Sequence, residues 1–516
     1  MHTKTITVLV GFCVGVVVGL TFLYATEIAC ASFLLALLQA GIMLYEKRVR
    51  RKEIETKSHE SDVHDFFIFQ KILIIFFISL SIGILRTQFI EEKNNVICEQ
   101  SCSVRATISS SPKIQNEYQL FSARIEDMKN THDVMVRVPL YPRYAKGEAV
   151  VLTGKITTIK NTYQHLDKKF FDYKQYLHIH DIGSEMFFPR IERLHRVDKR
   201  PDFISRLELI RQKSMHTLSL YVHEPSASLA SGMLFGASTF SKEMLATFRT
   251  SGLSHIVVVS GFNLAVLVSC ILFILYIVPL TLRVILAIGV MILFVIMVGA
   301  EASIVRASIM TTFALLALLV GRGHVAKHAL LLSLFCIVIY KPESILYDAS
   351  LHLSFLATAG ILYASDALSH RLHRITSKTY REIIATTCAA YLATLPYVMY
   401  TFGSVSIYAL LANIIVLPLV PMTMILSCVT LFASLISETL ARLSGYVTTF
   451  FADIIISVAR FTESLPYASY EMEVSRMGMV SLYLLMIGFY HHSIRSVRNE
   501  TPPTKSTPLL SEIISY

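Results

Sequence analysis

Long apolar runs with brief polar punctuation cover most of the chain, and one region near residues 100–195 breaks that rhythm. A hydrocarbon core about 30 Å thick takes roughly 20 helical residues to cross, and blocks near that length recur. Thr5–Tyr24 and Ile28–Tyr45, separated by a short turn containing Glu27, predict a transmembrane hairpin over residues 1–45. The first block reads as a retained anchor, because a signal peptide has a shorter apolar core and a second apolar block would not follow so closely. Glu46-Lys47-Arg48-Val49-Arg50-Arg51-Lys52 sits in the loop 46–65. Its basic residues assign that loop to the cytoplasm. The next block, Phe66–Ile90, then crosses outward as the helix 66–90 and leaves Glu91 to about Pro201 outside the cytoplasm.

Within 91–200 the period shortens. Runs rich in Val, Ile and aromatics occur at Ser103–Ser109, Tyr118–Ile125, Val134–Leu140, Glu148–Ile159 and Ser184–Ile191, with polar turns such as Ser110-Ser111-Pro112 between them. Short, closely spaced strands of this kind predict a small OB-like barrel, closed so that no edge is left unpaired. Helical spacing returns at Asp202–Tyr221. Phe203, Leu207, Ile210 and Leu218 are apolar there, with Arg206, Arg211 and Lys213 between them. Residues 201–250 are therefore expected to form amphipathic helices, with the first lying at a membrane surface or packed on the barrel.

A dense array follows over 251–495: Ile256–Val278, Arg283–Val298, Val305–Gly321, Ala329–Tyr340, Leu351–Ser365, Ile383–Tyr400, Val405–Ile436, Val447–Phe461 and Met477–Phe489. Several blocks are short or carry Pro396, Pro418 or Pro421. Interrupted helices are tolerated where protein or a watery cavity satisfies the freed backbone groups, which favours transport over anchoring. Arg495 and Arg498 precede a polar tail, 496–516, expected in the cytoplasm. The fold class is a polytopic α-helical membrane protein with a small extracytoplasmic β-barrel.

Composition adds little to that pattern. Hydrophobic residues make up 53% of the 516 and charged ones 16%, where soluble chains carry about a quarter charged. The net charge of +10 is explained first by cytoplasmic loops and anionic lipid, and only then by nucleic acid. With no Trp and 24 Tyr, an interfacial belt must be built from Tyr. Six cysteines sit in apolar blocks, while Cys98 and Cys102 lie in the polar region, too few for a disulfide framework; a bridge between them would require an oxidising compartment. The chain has no phosphate-binding loop for a motor and no His-Glu-x-x-His or Gly-x-Ser-x-Gly motif. His178-Ile179-His180-Asp181 lacks the further His that a metal site would need. No catalytic group, metal or cofactor is expected.

Four stretches stand out from the apolar filler. They are Thr250-Ser251-Gly252-Leu253-Ser254-His255 with Val259-Ser260-Gly261-Phe262-Asn263; Ala302-Ser303-Ile304-Val305-Arg306-Ala307-Ser308-Ile309-Met310; Leu351-His352-Leu353-Ser354-Phe355-Leu356-Ala357-Thr358-Ala359-Gly360; and Ala393-Thr394-Leu395-Pro396 with Phe402-Gly403, Ala412-Asn413 and Pro418-Leu419-Val420-Pro421. In this order they resemble the competence domain of the ComEC family of DNA-uptake channels. Ala230-Ser231-Gly232-Met233-Leu234-Phe235-Gly236 is similar to that domain's leading segment, and Phe171-Asp172-Tyr173 with Tyr176-Leu177 to the segment that closes the family's OB domain. The resemblance departs at Asn263, where the family usually has His, and at His352, where it usually has Gln. Many members continue into a metallo-β-lactamase-like nuclease domain, which this chain is expected to lack.

The resemblance implies an inner-membrane channel admitting single-stranded DNA during natural transformation. It would act with a separate extracytoplasmic DNA receptor, a separate nuclease, and a cytoplasmic ATPase or single-strand-binding proteins. The alternative is a multi-pass transporter or flippase for a smaller solute or lipid intermediate, which would not need the OB-like insert. A polyanion cannot cross hydrocarbon bare, so intramembrane polar groups mark its path. Arg306 is placed to meet phosphates, or else snorkels or pairs with Glu301. His255, Ser260 and Asn263 gather at a broken helix start, to bond phosphate or unwound backbone, or simply within a small-residue helix contact. Asn413 lines a constriction or caps a helix break; His352 faces the path or sits in the core. In the barrel, Tyr118, Phe121, Tyr141 and Tyr144 interleave with Arg124, Arg137, Arg143 and Lys146, as a base-stacking groove would, though aromatics at such positions also serve as barrel core.

Overall fold

The computed structural model describes residues 2–21, 28–36, 39–40, 60–88, 96–110, 112–115, 118–126, 133–144, 147–159, 174, 177, 181–194, 203–236, 240–257, 259–299, 302–319, 326–486 and 488. The turn at Glu27, the basic loop from Glu46 to Lys52, Lys146, Phe171 to Tyr173, Tyr176, His178 to His180, Glu301 and the tail beyond 488 lie outside these residues. The chain divides into two units, Met1–Lys93 with Val325–Asp348, and Asn94–His324 with Ala349–Tyr516.

In the first unit the helices His2–Thr21 and Glu60–Gln88 pack backbone to backbone. Gly11, Gly15 and Gly19 recur every four residues and so share one helix face. A Cβ on Gly15 would stand 2.1 Å from the Leu80 carbonyl oxygen, and one on Gly83 would stand 2.2 Å from that of Phe12. Small residues are what permit such approach between apolar helices. Phe12, Cys13 and Val16 share a core with Val338. Arg86 Nε donates to the Ile339 carbonyl at 3.0 Å, a cation at the negative end of the helix Ala326–Tyr340. The block Ala329–Tyr340, expected within 251–495, therefore belongs to the N-terminal unit.

The second unit opens with a barrel built from β1 (Cys98–Ile108), β2 (Lys113–Gln115), β3 (Tyr118–Ile125), β4 (Asp133–Pro139), β5 (Ala149–Thr158), β6 (Ile182–Phe187) and β7 (Arg190–Arg193). Five strands close a circuit in the order β1-β3-β4-β6-β5 and back to β1; β4 and β6 run parallel, and the other pairs are antiparallel. β2 extends from β3 and β7 from β5. Alternation decides what faces in: Phe121, Ala123 and Ile125 of β3, Val134, Val136 and Val138 of β4, and Val150, Leu152 and Ile156 of β5 fill the centre. One sequence expectation needs correction. Ser184–Ile191 is not one strand but two, broken where Phe188 takes φ +47° ahead of Pro189, which has no N–H to give the ladder.

The rest of this unit is helical, and five of its helices are long and apolar enough to cross a membrane: Leu280–Val298, Ala349–Arg371, Lys378–Phe402, Leu419–Ile436 and Glu438–Ser464. Against two of them, Leu419–Ile436 and Glu438–Ser464, packs the short helix Ser226–Phe235, all ten residues of which are buried. Its small side chains allow neighbours close, and Gly236 ends it in the left-handed conformation (φ +68°) that glycine adopts without strain. The amphipathic helix Phe203–Tyr221 inserts Leu218 into this core, yet leaves Phe203, Leu209, Ile210 and Leu220 exposed. Two predicted blocks are broken. Ser254–Val257 gives way to Gly261–Ile274, and Val405–Ile436 divides into β8 (Ser404–Ser406), Ala409–Val416 and Leu419–Ile436. Pro418 stands at that second break. Pro396, expected to interrupt, lies inside the continuous helix Lys378–Phe402, and Pro421 lies in a first turn where its missing N–H costs nothing. The Tyr483 hydroxyl donates to the Ala393 carbonyl (3.1 Å), one turn before Pro396. β8 pairs with β9 (Ser469–Glu471).

Candidate nucleic-acid interface

The barrel presents a cation held between aromatic rings. Arg137 on β4 lies opposite Phe187 in the parallel β4–β6 register and diagonal to Tyr118 on β3. Its guanidinium carbon sits 4.8 Å from the Phe187 ring centre and 5.8 Å from that of Tyr118. Such stacking holds a cation over a ring face. Phe187 is 49% exposed and Phe188 59%, a large apolar pair standing out in water. Phe188 adopts its positive φ with its N–H bound to the Arg137 carbonyl (2.8 Å), so the strand break is tied to β4 at Arg137. A left-handed bulky residue is costly backbone, and such outliers gather at binding surfaces. Phe187 and Phe188 escaped the sequence reading because a single strand was drawn through them.

A second cluster borders it. Gln119, 2% exposed, donates through Nε2 to the carbonyls of Pro139 (2.9 Å), Leu140 (3.0 Å) and Pro142 (2.8 Å), and its Oε1 accepts from the Tyr144 N–H (3.3 Å). One buried amide thus shapes the turn carrying Tyr141, Arg143 and Tyr144. Tyr141 is 68% exposed with Arg143 over its ring at 5.8 Å, and Arg193 lies 5.1 Å from the Tyr144 ring. Burial pushes the Tyr144 phenol up from its ordinary value, with Arg193 pulling it down and Glu148 raising it.

Three of the expected barrel residues do other work. Phe121 is buried at 2% in the core, so it stacks on no ligand. Tyr144 leans on Phe121 with ring centres 5.8 Å apart and is half core. Arg124 Nε is tied to Asp133 at 3.1 Å, and Asp133 also accepts from Ser109 (2.6 Å).

Most of the helical polar residues are buried or half-buried. Arg306, 1% exposed, donates from Nη2 to the Ser350 carbonyl (2.7 Å) and hydroxyl (3.1 Å) in the first turn of Ala349–Arg371. It does not snorkel. His352, two residues on, shares a 2.8 Å hydrogen bond with the Tyr397 hydroxyl. Ser260 donates to Asn263 Oδ1 (3.2 Å), and Asn263 Nδ2 donates to the Met233 carbonyl (3.0 Å) near the end of the buried helix. His255 is exposed, apart from that pair. Asn413 is buried with its Oδ1 lacking a hydrogen-bond partner among the described residues. Gly252 and Gly360, in two of the distinctive stretches, mark close contacts. Cβ atoms there would stand 2.4 Å from Ala409 Cβ and 2.5 Å from the Ala389 carbonyl oxygen. Among the described residues, no group of three His, Cys, Asp or Glu side chains is placed to hold a metal.

The family model described as Competence protein matches residues 233–495, just over half of the chain. The chain belongs to the Competence protein family. No curated protein and no solved structure matches it. The family region begins at Met233, whose carbonyl receives Asn263, and takes in Arg306, His352 and Asn413. The barrel precedes it in sequence.

Proposed function

We propose that the chain is an inner-membrane channel of the ComEC type, which admits single-stranded DNA during natural transformation. The barrel, as an OB-like domain outside the cytoplasm, receives the strand. Its five-stranded closed circuit is the architecture used by OB folds, which bind single strands by stacking bases on aromatics beside basic groups. The observation that carries this reading is the presence, in one chain, of Competence-family helices and a barrel face where Arg137 lies between Tyr118 and exposed Phe187. A carrier of small solutes has no use for such a face.

The helical region supplies the passage. Broken helices at 259–260 and at Pro418 leave backbone groups that a hydrated path would satisfy, and the unpartnered Asn413 acceptor lies on the helix just before the second break. In this reading the chain performs no chemistry on DNA. The receptor, the strand-degrading nuclease and the cytoplasmic ATPase or single-strand-binding proteins are separate partners. The test is a clean deletion, complemented with the intact gene, assayed for labelled DNA reaching the cytoplasm. Loss on deletion and return on complementation are expected; unchanged import in the deletion strain overturns the proposal.

A further inference from the structure

β1 opens with two cysteines four positions apart, and the strand is irregular between them. Cys98 lies opposite Ile156 of β5 and Cys102 opposite Gly154, so residues 99–101 bulge out of the ladder. In a regular strand, positions four apart are separated by about 13 Å, beyond the roughly 7 Å that a disulfide spans between Cα atoms. Here the two cysteines occupy the places of residues two apart. That halves the separation to about 7 Å and puts both thiols on one face of the seam that closes the barrel.

Their surroundings agree with the register. Both are free thiols packed against the barrel core, near enough for Cys98 to act on the Cys102 thiol. Cys102 Sγ also donates to the Gly154 carbonyl (3.5 Å), and Cys98 Sγ to that of Gln100 (2.9 Å). Burial, and then the neighbouring Cys98, push the Cys102 thiol up to about 11. It is therefore slow to react alone and is suited to the second, intramolecular step. The remaining six cysteines lie on helices or helical segments elsewhere.

We propose that Cys98 and Cys102 form a reversible disulfide that fastens the bulge at the β1–β5 seam. The oxidant is a disulfide, of a small thiol or of a protein dithiol. The Cys98 thiolate attacks one of its sulfurs and releases one thiol. The Cys102 thiolate then displaces the second, so that one S–S bond forms as another breaks. Two electrons pass to the oxidant, and the two protons end on its thiols. The oxidised barrel holds the start of β1 against β5, while the reduced one lets residues 98–101 move away.

The test uses the full chain, purified in detergent, reduced, and equilibrated with graded mixtures of oxidised and reduced glutathione. Free thiols are then alkylated and the peptides weighed. The expected result is a Cys98–Cys102 peptide lighter by two hydrogens and carrying no alkyl group, formed in a single two-electron step. In Cys102→Ser, Cys98 should instead retain one glutathione. Two outcomes overturn the proposal: both cysteines of the intact chain taking up glutathione independently, or both remaining open to alkylation under oxidising conditions.

Discussion

The barrel and the helical region use arginine in opposite ways. On the barrel, Arg137 is stacked between rings at the surface, with Phe187 and Phe188 standing out beside it. Among the helices, Arg306 is buried and spends hydrogen bonds on the first turn of a neighbouring helix. One cation is held against ring faces on a barrel strand, whereas the other is bonded to backbone and ties two helices together. The contrast teaches that polar residues within membrane-type helices need not line a path. Asn263, Ser260 and Arg306 act as fasteners within the helical region, and the proposed contact surface is the barrel's.

The comparison makes a graded set of expectations. Gly360→Leu should do the most damage, because its side chain would have to enter space 2.5 Å from the Ala389 backbone. The protein should fail to accumulate in membranes, as an immunoblot of membrane fractions would register. Arg306→Ala comes next. Loss of a buried, charge-assisted bond to Ser350 should cost about 3 kcal/mol, seen as a lower thermal midpoint in detergent with import falling in parallel. Import abolished at an unchanged midpoint would instead put Arg306 on the DNA path and blur the division drawn here.

Changes on the barrel should separate binding from stability. Arg137→Ala with Phe187→Ala should weaken binding of a labelled oligothymidine by about tenfold to a hundredfold, at 1–3 kcal/mol per lost stacking platform. Anisotropy should show this, together with a shallower salt dependence and no change in thermal midpoint. Gln119→Ala should act more weakly on DNA. It removes the amide that shapes the Tyr141–Tyr144 turn, costing about 1–3 kcal/mol of barrel stability and a few-fold in affinity. Arg124→Ala should be nearly silent, under about 1 kcal/mol, because its pair with Asp133 is mostly solvated on the arginine side.

Much of the architecture was legible because periodicity reports burial. The run Tyr118–Ile125 is the strand observed, and the helix read at Asp202–Tyr221 begins at Phe203. The failures have local causes. Pro189 and the left-handed Phe188 divide a run whose composition reads as one strand. Pro396 passes unnoticed through a helix because a missing N–H near neighbouring helices can be accommodated. The block at Ala329–Tyr340 has the same composition as its neighbours, so sequence could not reveal that it packs with the N-terminal helices. On the barrel, the interleaving of Arg and Tyr marked residues that make cation–ring contacts, while which ring faces out depends on pairing. Phe121 went inside by strict alternation, and Gln119, an ordinary polar residue in sequence, proved to organise the turn.

Direct capture of DNA in transit is the sharpest test of the whole account. A photo-cross-linking residue placed at Phe187, in cells importing labelled DNA, should become attached to the incoming single strand. The same residue at exposed Arg105 on β1 should capture little. Equal labelling at both positions, or none at Phe187 while import proceeds normally, would contradict the claim that the strand enters by way of this barrel.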